Sequence, residues 1–174
     1  MTREKTGLGQ GEFISLMAML MSMVALTIDA MLPALAQIGT SLNVSNPNDN
    51  QLIVGTVFLG MALGQMFYGP ISDSYGRKPA IYIGVVIFLV GAVVSIISQD
   101  FNTMLLGRIL QGMGAASCRV VTLAMIRDCF SGKDMARVMS LIMLMFIMVP
   151  AIAPSIGQGI LFFTGWRAIF VFLL

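Results

Sequence analysis

An all-α membrane protein is the fold class this sequence predicts, and three observations predict it. Of 174 residues, 57% are hydrophobic and only 10% are charged, and the apolar residues gather into five long runs. Ordinary soluble domains devote about a quarter of their residues to charge. Ten Lys plus Arg and eight Asp plus Glu cannot coat a domain of this size. The mean hydropathy of +0.91 agrees: the solvent for most of this surface is lipid.

The elements follow in order. Residues 1–12 are polar and form an N-terminal tail, and the apolar run behind them is too long for the core of a cleavable signal peptide. It reads as a first span that stays in the membrane. Span one covers residues 13–35, span two 52–71, span three 80–98, span four 104–126 and span five 138–163. Each lies near the twenty or so residues a helix needs to cross the hydrocarbon core. Helices are required because lipid offers no partner to unpaired backbone groups. A sixth apolar run opens at residue 168 and stops at 174, too short to cross. The expected organisation is therefore a tail, 1–12, and one transmembrane bundle, 13–174.

Charge placement sets the expected topology. Arg3 and Lys5 precede span one, Arg77 and Lys78 join spans two and three, and Arg127, Lys133 and Arg137 join spans four and five. The loops at 36–51 and 99–103 contain neither Lys nor Arg, and Arg167 is the one exception on that side. An excess of basic residues marks cytoplasmic loops, which places the N-terminus in the cytoplasm.

Composition also excludes function classes. A net charge of +2, with no basic cluster interleaved with aromatics, argues against nucleic acid. The chain has no His, which removes the commonest general base and metal ligand. Cys118 and Cys129 lack metal-ligand or redox spacing and read as free thiols. No nucleophile–base spacing supports an enzyme, and neither cofactor nor metal is expected.

Small residues suggest where helices approach closely: Gly60 and Gly64 form a GxxxG pair in span two, and Gly112, Gly114, Ala115 and Ala116 line span four. Sixteen methionines add adaptable apolar surface.

Ionisable residues inside a membrane are costly and so are functional candidates. Asp29 in span one and Arg108 and Arg119 in span four stand out. A carboxyl at Asp29 is suited to binding a proton or a cationic substrate and releasing it when its surroundings change. The bland alternative is a polar residue near the outer interface, satisfied by water. Pro33, four residues on, removes the N–H that would bond the Asp29 carbonyl and loosens the helix there. Arg108, Gln111, Ala115 and Arg119 fall on one helical stripe, with the two arginines about 16 Å apart along the axis. Such a stripe is expected to face the bundle interior or a wet cavity, with a charge-assisted contact between Arg108 and Asp29, direct or through water. Pro150, Pro154, Gly157 and Gly159 are expected to bend span five and admit a close neighbour. The segment 69–79 combines a turn with Asp73 beside Arg77 and Lys78, either a generic connection or a gating latch.

Four of these segments together resemble the major facilitator superfamily. Gly69-Pro-Ile-Ser-Asp73-Ser-Tyr-Gly76-Arg77-Lys78-Pro79 is similar to the family's loop motif between helices two and three. Leu106-Gly-Arg108-Ile-Leu-Gln111-Gly112-Met-Gly114 resembles its fourth-helix motif, whose Arg is tied to proton coupling. Ile28-Asp29-Ala-Met-Leu-Pro33 resembles the first-helix motif of the drug:proton antiporter branch, and Ala153-Pro154-Ser-Ile-Gly157-Gln-Gly159 the antiporter motif of helix five. Ala153 and Gln158 depart from the usual form of that last motif. Ala153, together with Arg127-Asp128 and Gly165-Trp166-Arg167, points to the bicyclomycin-resistance type of exporter.

The resemblance implies the N-terminal six-helix half of a transporter, ending within helix six and partnered in the family by a C-terminal half. It implies secondary active, proton-coupled efflux of small hydrophobic or cationic drug-like compounds across a bacterial inner membrane. Asp29, Arg108, Gln111 and Arg119 would serve coupling, and Gly69, Asp73, Gly76, Arg77 and Lys78 gating. The alternatives are a specific metabolite transporter of the same superfamily or a non-transporting membrane fragment.

Overall fold

The computed structural model describes residues 9–174, so Arg3, Lys5 and most of the expected tail lie outside the described residues. Helix α1 (Gln10–Asp29) starts where the Glu12 carboxylate accepts the Gly9 N–H at 2.8 Å, an acid at the positive end of the helix. It stops at Asp29. Pro33 has no N–H to offer the Asp29 carbonyl, and the chain tightens into a 3₁₀ turn over Leu32–Ala34 before resuming as α2 (Leu35–Ser41). A second 3₁₀ turn, Pro47–Gln51, leads into α3 (Leu52–Tyr75). Helices α4 (Arg77–Ile97), α5 (Phe101–Cys129), α6 (Gly132–Thr164) and the short α7 (Arg167–Phe172) follow. No strand occurs among the described residues, and the fold is all-α.

Five stretches are long and apolar enough to cross a membrane: Gly11–Ser41, Pro47–Tyr75, Arg77–Ile97, Phe101–Cys129 and Gly132–Thr164. The apolar run at the C-terminal end begins a further helix, α7. Pro150 and Pro154 both lie inside α6, which runs unbroken through them.

Helix α5 is the hub, packed most extensively against α3 and α4 and also touching α1 and α6. Small residues allow this. A Cβ on Gly60 of α3 would collide with the Ile109 carbonyl of α5, and one on Gly112 with the Val57 carbonyl of α3. On the opposite side of α5, Gly84 of α4 abuts Ser117, and Gly107 abuts Ser95. Where hydrophobicity cannot drive helices together, this close van der Waals approach holds them.

The core forms three tiers. Ala30, Ile38, Ile53, Met104, Trp166 and Phe170 fill the end nearest Asp100. Val24, Val57, Met61, Phe88 and Ala115 fill the middle, and Phe13, Met17, Met21, Ile126 and Ile142 the end nearest Arg77. Outside these tiers the surface is itself apolar, with Phe162, Phe163, Met66 and Val90 exposed, which suits hydrocarbon and not water. The exceptional basic residue Arg167 has a structural role. It donates to the Ile96 and Ser98 carbonyls at 3.0 and 3.1 Å, at the negative C-terminal end of α4.

Candidate functional site

Two polar clusters occupy opposite parts of the bundle. The first surrounds Arg108, the largest fully buried side chain. Its Nη2 donates to the Thr27 carbonyl of α1 at 2.9 Å, Nη1 to Gln111 Oε1 at 2.9 Å, and Nε to the Ile53 carbonyl of α3 at 3.3 Å. The ring of Phe170 lies against its guanidinium at 5.5 Å. One arginine therefore ties three spans together at a single level. A buried charge is tolerable only with its donors satisfied, and backbone carbonyls supply that here in place of a carboxylate. Gln111 is also buried. Its Oε1 is used by Arg108, while its Nε2 has no hydrogen-bond partner among the described residues.

Of the contact expected between Asp29 and Arg108, the direct form is not present. No ion pair joins Asp29 to Arg108; the guanidinium instead takes the carbonyl of Thr27, two residues earlier. Asp29 is partly exposed at the α1 break. The helix loosening expected from Pro33 is present, and it falls at the carboxylate.

Arg119 differs from Arg108 in its surroundings. Residues 114–118 are all buried, yet Arg119 is exposed and makes no hydrogen bond or ion pair among the described residues. Arg108 and Gln111 are brought together; Arg119 is not part of their cluster.

The second cluster lies where α3 meets α4. Gly76 alone joins the two helices, at φ 95°, a conformation glycine adopts without the penalty a side chain would bring. That turn carries Arg77 back beside the end of α3. Arg77 Nη1 donates to Asp73 Oδ1 and Ser72 Oγ, both at 2.7 Å, and Nε donates to Asp128 Oδ2 at 2.8 Å. The ends of α3, α4 and α5 are thereby pinned by one side chain. Lys78 is exposed beside it, outside the ion-pair cluster, and a Cβ on Gly69 would meet nothing within 4 Å.

Sequence reasoning singled out Asp73 and Arg77 but used Asp128 only as a marker of subtype. A usable signal was present: an acid closing span four at the end of the bundle where Arg77 lies. Thr27 and Ile53 act through carbonyls, which every residue has, so no sequence signal marks them.

In span five, the four marked residues separate. A Cβ on Gly157 would collide with the Ala30 carbonyl, next to Asp29, whereas one on Gly159 would meet nothing within 4 Å. Gly157 thus lets α6 press against the α1 break.

A helical membrane bundle with one wholly buried arginine bridging three spans, and an arginine–carboxylate clasp across three helix ends, has the build of a membrane transporter half. Residues 13–174 match the Major Facilitator Superfamily, and the chain belongs to that family, a family of transporters and not of enzymes. It is 37% identical over 161 residues to a bicyclomycin resistance protein homolog of Haemophilus influenzae, covering 91% of this chain and 39% of that protein. It is 39% identical over 145 residues to the multidrug resistance protein MdtL of Vibrio parahaemolyticus, covering 82% of this chain and 36% of that one. A chloramphenicol resistance protein of Pseudomonas aeruginosa is 33% identical over 152 residues, covering 87% and 36%. The chain spans roughly two fifths of the length of these relatives.

Proposed function

We propose that the native-length protein is a proton-coupled exporter of small hydrophobic or cationic compounds, set in a bacterial inner membrane with its N-terminus in the cytoplasm. The observation that carries the reading is Arg108, wholly buried and fastened to the Thr27 carbonyl immediately before the α1 break that presents Asp29. Relatives named for resistance to bicyclomycin, chloramphenicol and multiple drugs support the class of cargo. The basic residues Arg77, Lys78, Arg127, Lys133 and Arg137 support the orientation.

In this reading Asp29 is the proton carrier. It binds a proton from the outer side and gives it up as substrate loads from the cytoplasm. Arg108 senses the change because any shift of α1 at Asp29 moves the Thr27 carbonyl to which it is bonded. Gln111 anchors the guanidinium, and Arg119, exposed on the same helix, faces the translocation path. Asp73, Arg77 and Asp128 form a cytoplasmic latch that holds the ends of α3, α4 and α5 in one conformation and releases them in another. Lys78 keeps the latch electropositive, and Gly76 allows its turn. Gly157 gives α6 its close contact with the α1 break, and Pro150 and Pro154, which remove backbone N–H donors within α6, make that helix adjustable. In such transporters a second half supplies the opposite wall of the cavity, with binding near the midplane.

Asp29→Asn in the native-length protein tests the reading. Proton-gradient-driven efflux should be lost while the protein remains folded in the membrane; undiminished efflux with proton exchange would remove Asp29 from the mechanism.

A further inference from the structure

The start of α7 makes a run of contacts leading inward from the bundle end to Arg108. Arg167 fastens α7 to the end of α4 through the Ile96 and Ser98 carbonyls. Its guanidinium lies 4.2 Å from the centre of the Trp166 ring. Trp166 meets Phe170 edge to face, with centroids 6.1 Å apart and planes at 82°. Phe170 is fully buried and its ring lies 5.5 Å from the Arg108 guanidinium carbon. The hydrogen bonds of Arg108 lead to Thr27, Ile53 and Gln111, in α1, α3 and α5; the aromatic contact comes from a fourth direction, α7.

We propose that Phe170, itself oriented by Trp166 and Arg167, is a positioning residue for Arg108. Its ring face takes the place of water on the remaining side of the guanidinium and holds Arg108 on the Thr27 carbonyl beside the α1 break. The electron-rich face of an aromatic ring attracts a cation, and a planar guanidinium packs on it, so the ring does more than fill space. An apolar plug of equal size would exclude water but not attract the charge. The functional consequence rests on the reading of Arg108 and Asp29 as the coupling pair; the positional claim does not.

The experiment compares Phe170→Leu and Phe170→Tyr in the native-length protein. Two readouts are taken: ethidium transport and binding in proteoliposomes under an imposed pH gradient, and phenylglyoxal modification of Arg108 mapped by mass spectrometry. Phe170→Leu should lower gradient-driven turnover about fivefold with ethidium binding unchanged, and should open Arg108 to phenylglyoxal. Phe170→Tyr should match the parent in both. Leu behaving as the parent would overturn the proposal, as would Tyr failing alongside Leu. If the parent itself ignores the pH gradient, the coupling reading falls. The labelling then decides alone: modification in Leu with protection in Tyr upholds the positioning role, and equal protection in both overturns it. Should Phe170→Leu not fold, Phe170→Met replaces it and is read the same way.

Discussion

Arg108 donates from Nη2 to the carbonyl of Thr27 at 2.9 Å, two residues before α1 stops at Asp29. The span-four arginine is thus bonded to the backbone leading into the carboxylate and not to the carboxylate. A movement of α1 at its break reaches Arg108 through a main-chain atom, and the link survives any change in the charge of Asp29.

Arg108→Ala should therefore damage folding as well as transport. It leaves the Thr27 carbonyl and Gln111 Oε1 without this donor, each at about 1–3 kcal/mol, while the Ile53 carbonyl still accepts from Thr56 Oγ1. Arg108→Lys keeps the charge but cannot reach three acceptors from one point. We expect it to be folded, with a lowered melting temperature in detergent and gradient-driven transport near background. A lysine variant transporting at the parental rate would show that the forked geometry is dispensable.

The clasp around Arg77 should behave differently. Side-chain exposures of 26% for Arg77, 71% for Asp73 and 52% for Asp128 place it within reach of water and salt. Removing such pairs costs roughly 0.2–1 kcal/mol each, so Asp128→Asn should barely alter melting. Its effect should appear in transport, reduced severalfold. The exchange Arg77→Asp with Asp128→Arg should recover part of the loss, whereas either single change should not; the four proteins form a double-mutant cycle in efflux rate.

Two glycines of α6 make a paired test. Gly157→Ala pushes a methyl into the Ala30 carbonyl, and Gly159→Ala meets nothing within 4 Å. Overpacking of this kind costs about 1–3 kcal/mol. Gly157→Ala should lower the detergent melting temperature and impair transport, while Gly159→Ala should leave both unchanged. Equal sensitivity at the two positions would contradict the packing of α6 on α1.

Asp100 caps α5, accepting the Thr103 N–H at 2.7 Å and the Thr103 hydroxyl at 2.9 Å. These bonds hold its carboxyl below the ordinary value of 3.8. Because the folded value is depressed, the stabilisation is complete above the ordinary value and is lost as pH falls through the folded one. Asp100→Ala should melt below the parent at neutral pH, and the gap should close in acid. Asp100→Asn should retain most of the cap, since an amide oxygen also accepts from a helix N-terminus.

What was legible in the sequence follows from what lipid demands. Long apolar runs with few charges can satisfy their backbone only as helices, so the class, the five apolar spans and the candidate residues Asp29, Arg108 and Arg119 could be read from it directly. The break at Asp29 was legible too, because proline's missing N–H acts within one turn. The family motifs were local enough to name the superfamily, and residues 13–174 match it.

Tertiary structure alone decided the partners. Periodicity put Arg108 and Arg119 on one stripe, but packing buried the first and left the second exposed, since what covers a helix face depends on its neighbours. Arg108 bonds to carbonyls of Thr27 and Ile53, atoms shared by every residue and invisible in a pattern of side chains. Asp128 joins Arg77 across 51 positions of sequence, and Phe170 reaches Arg108 from α7. Sequence determines what each segment must be in a membrane. Only the approach of backbones, set by glycines such as Gly60, Gly112 and Gly157, determines which polar groups meet.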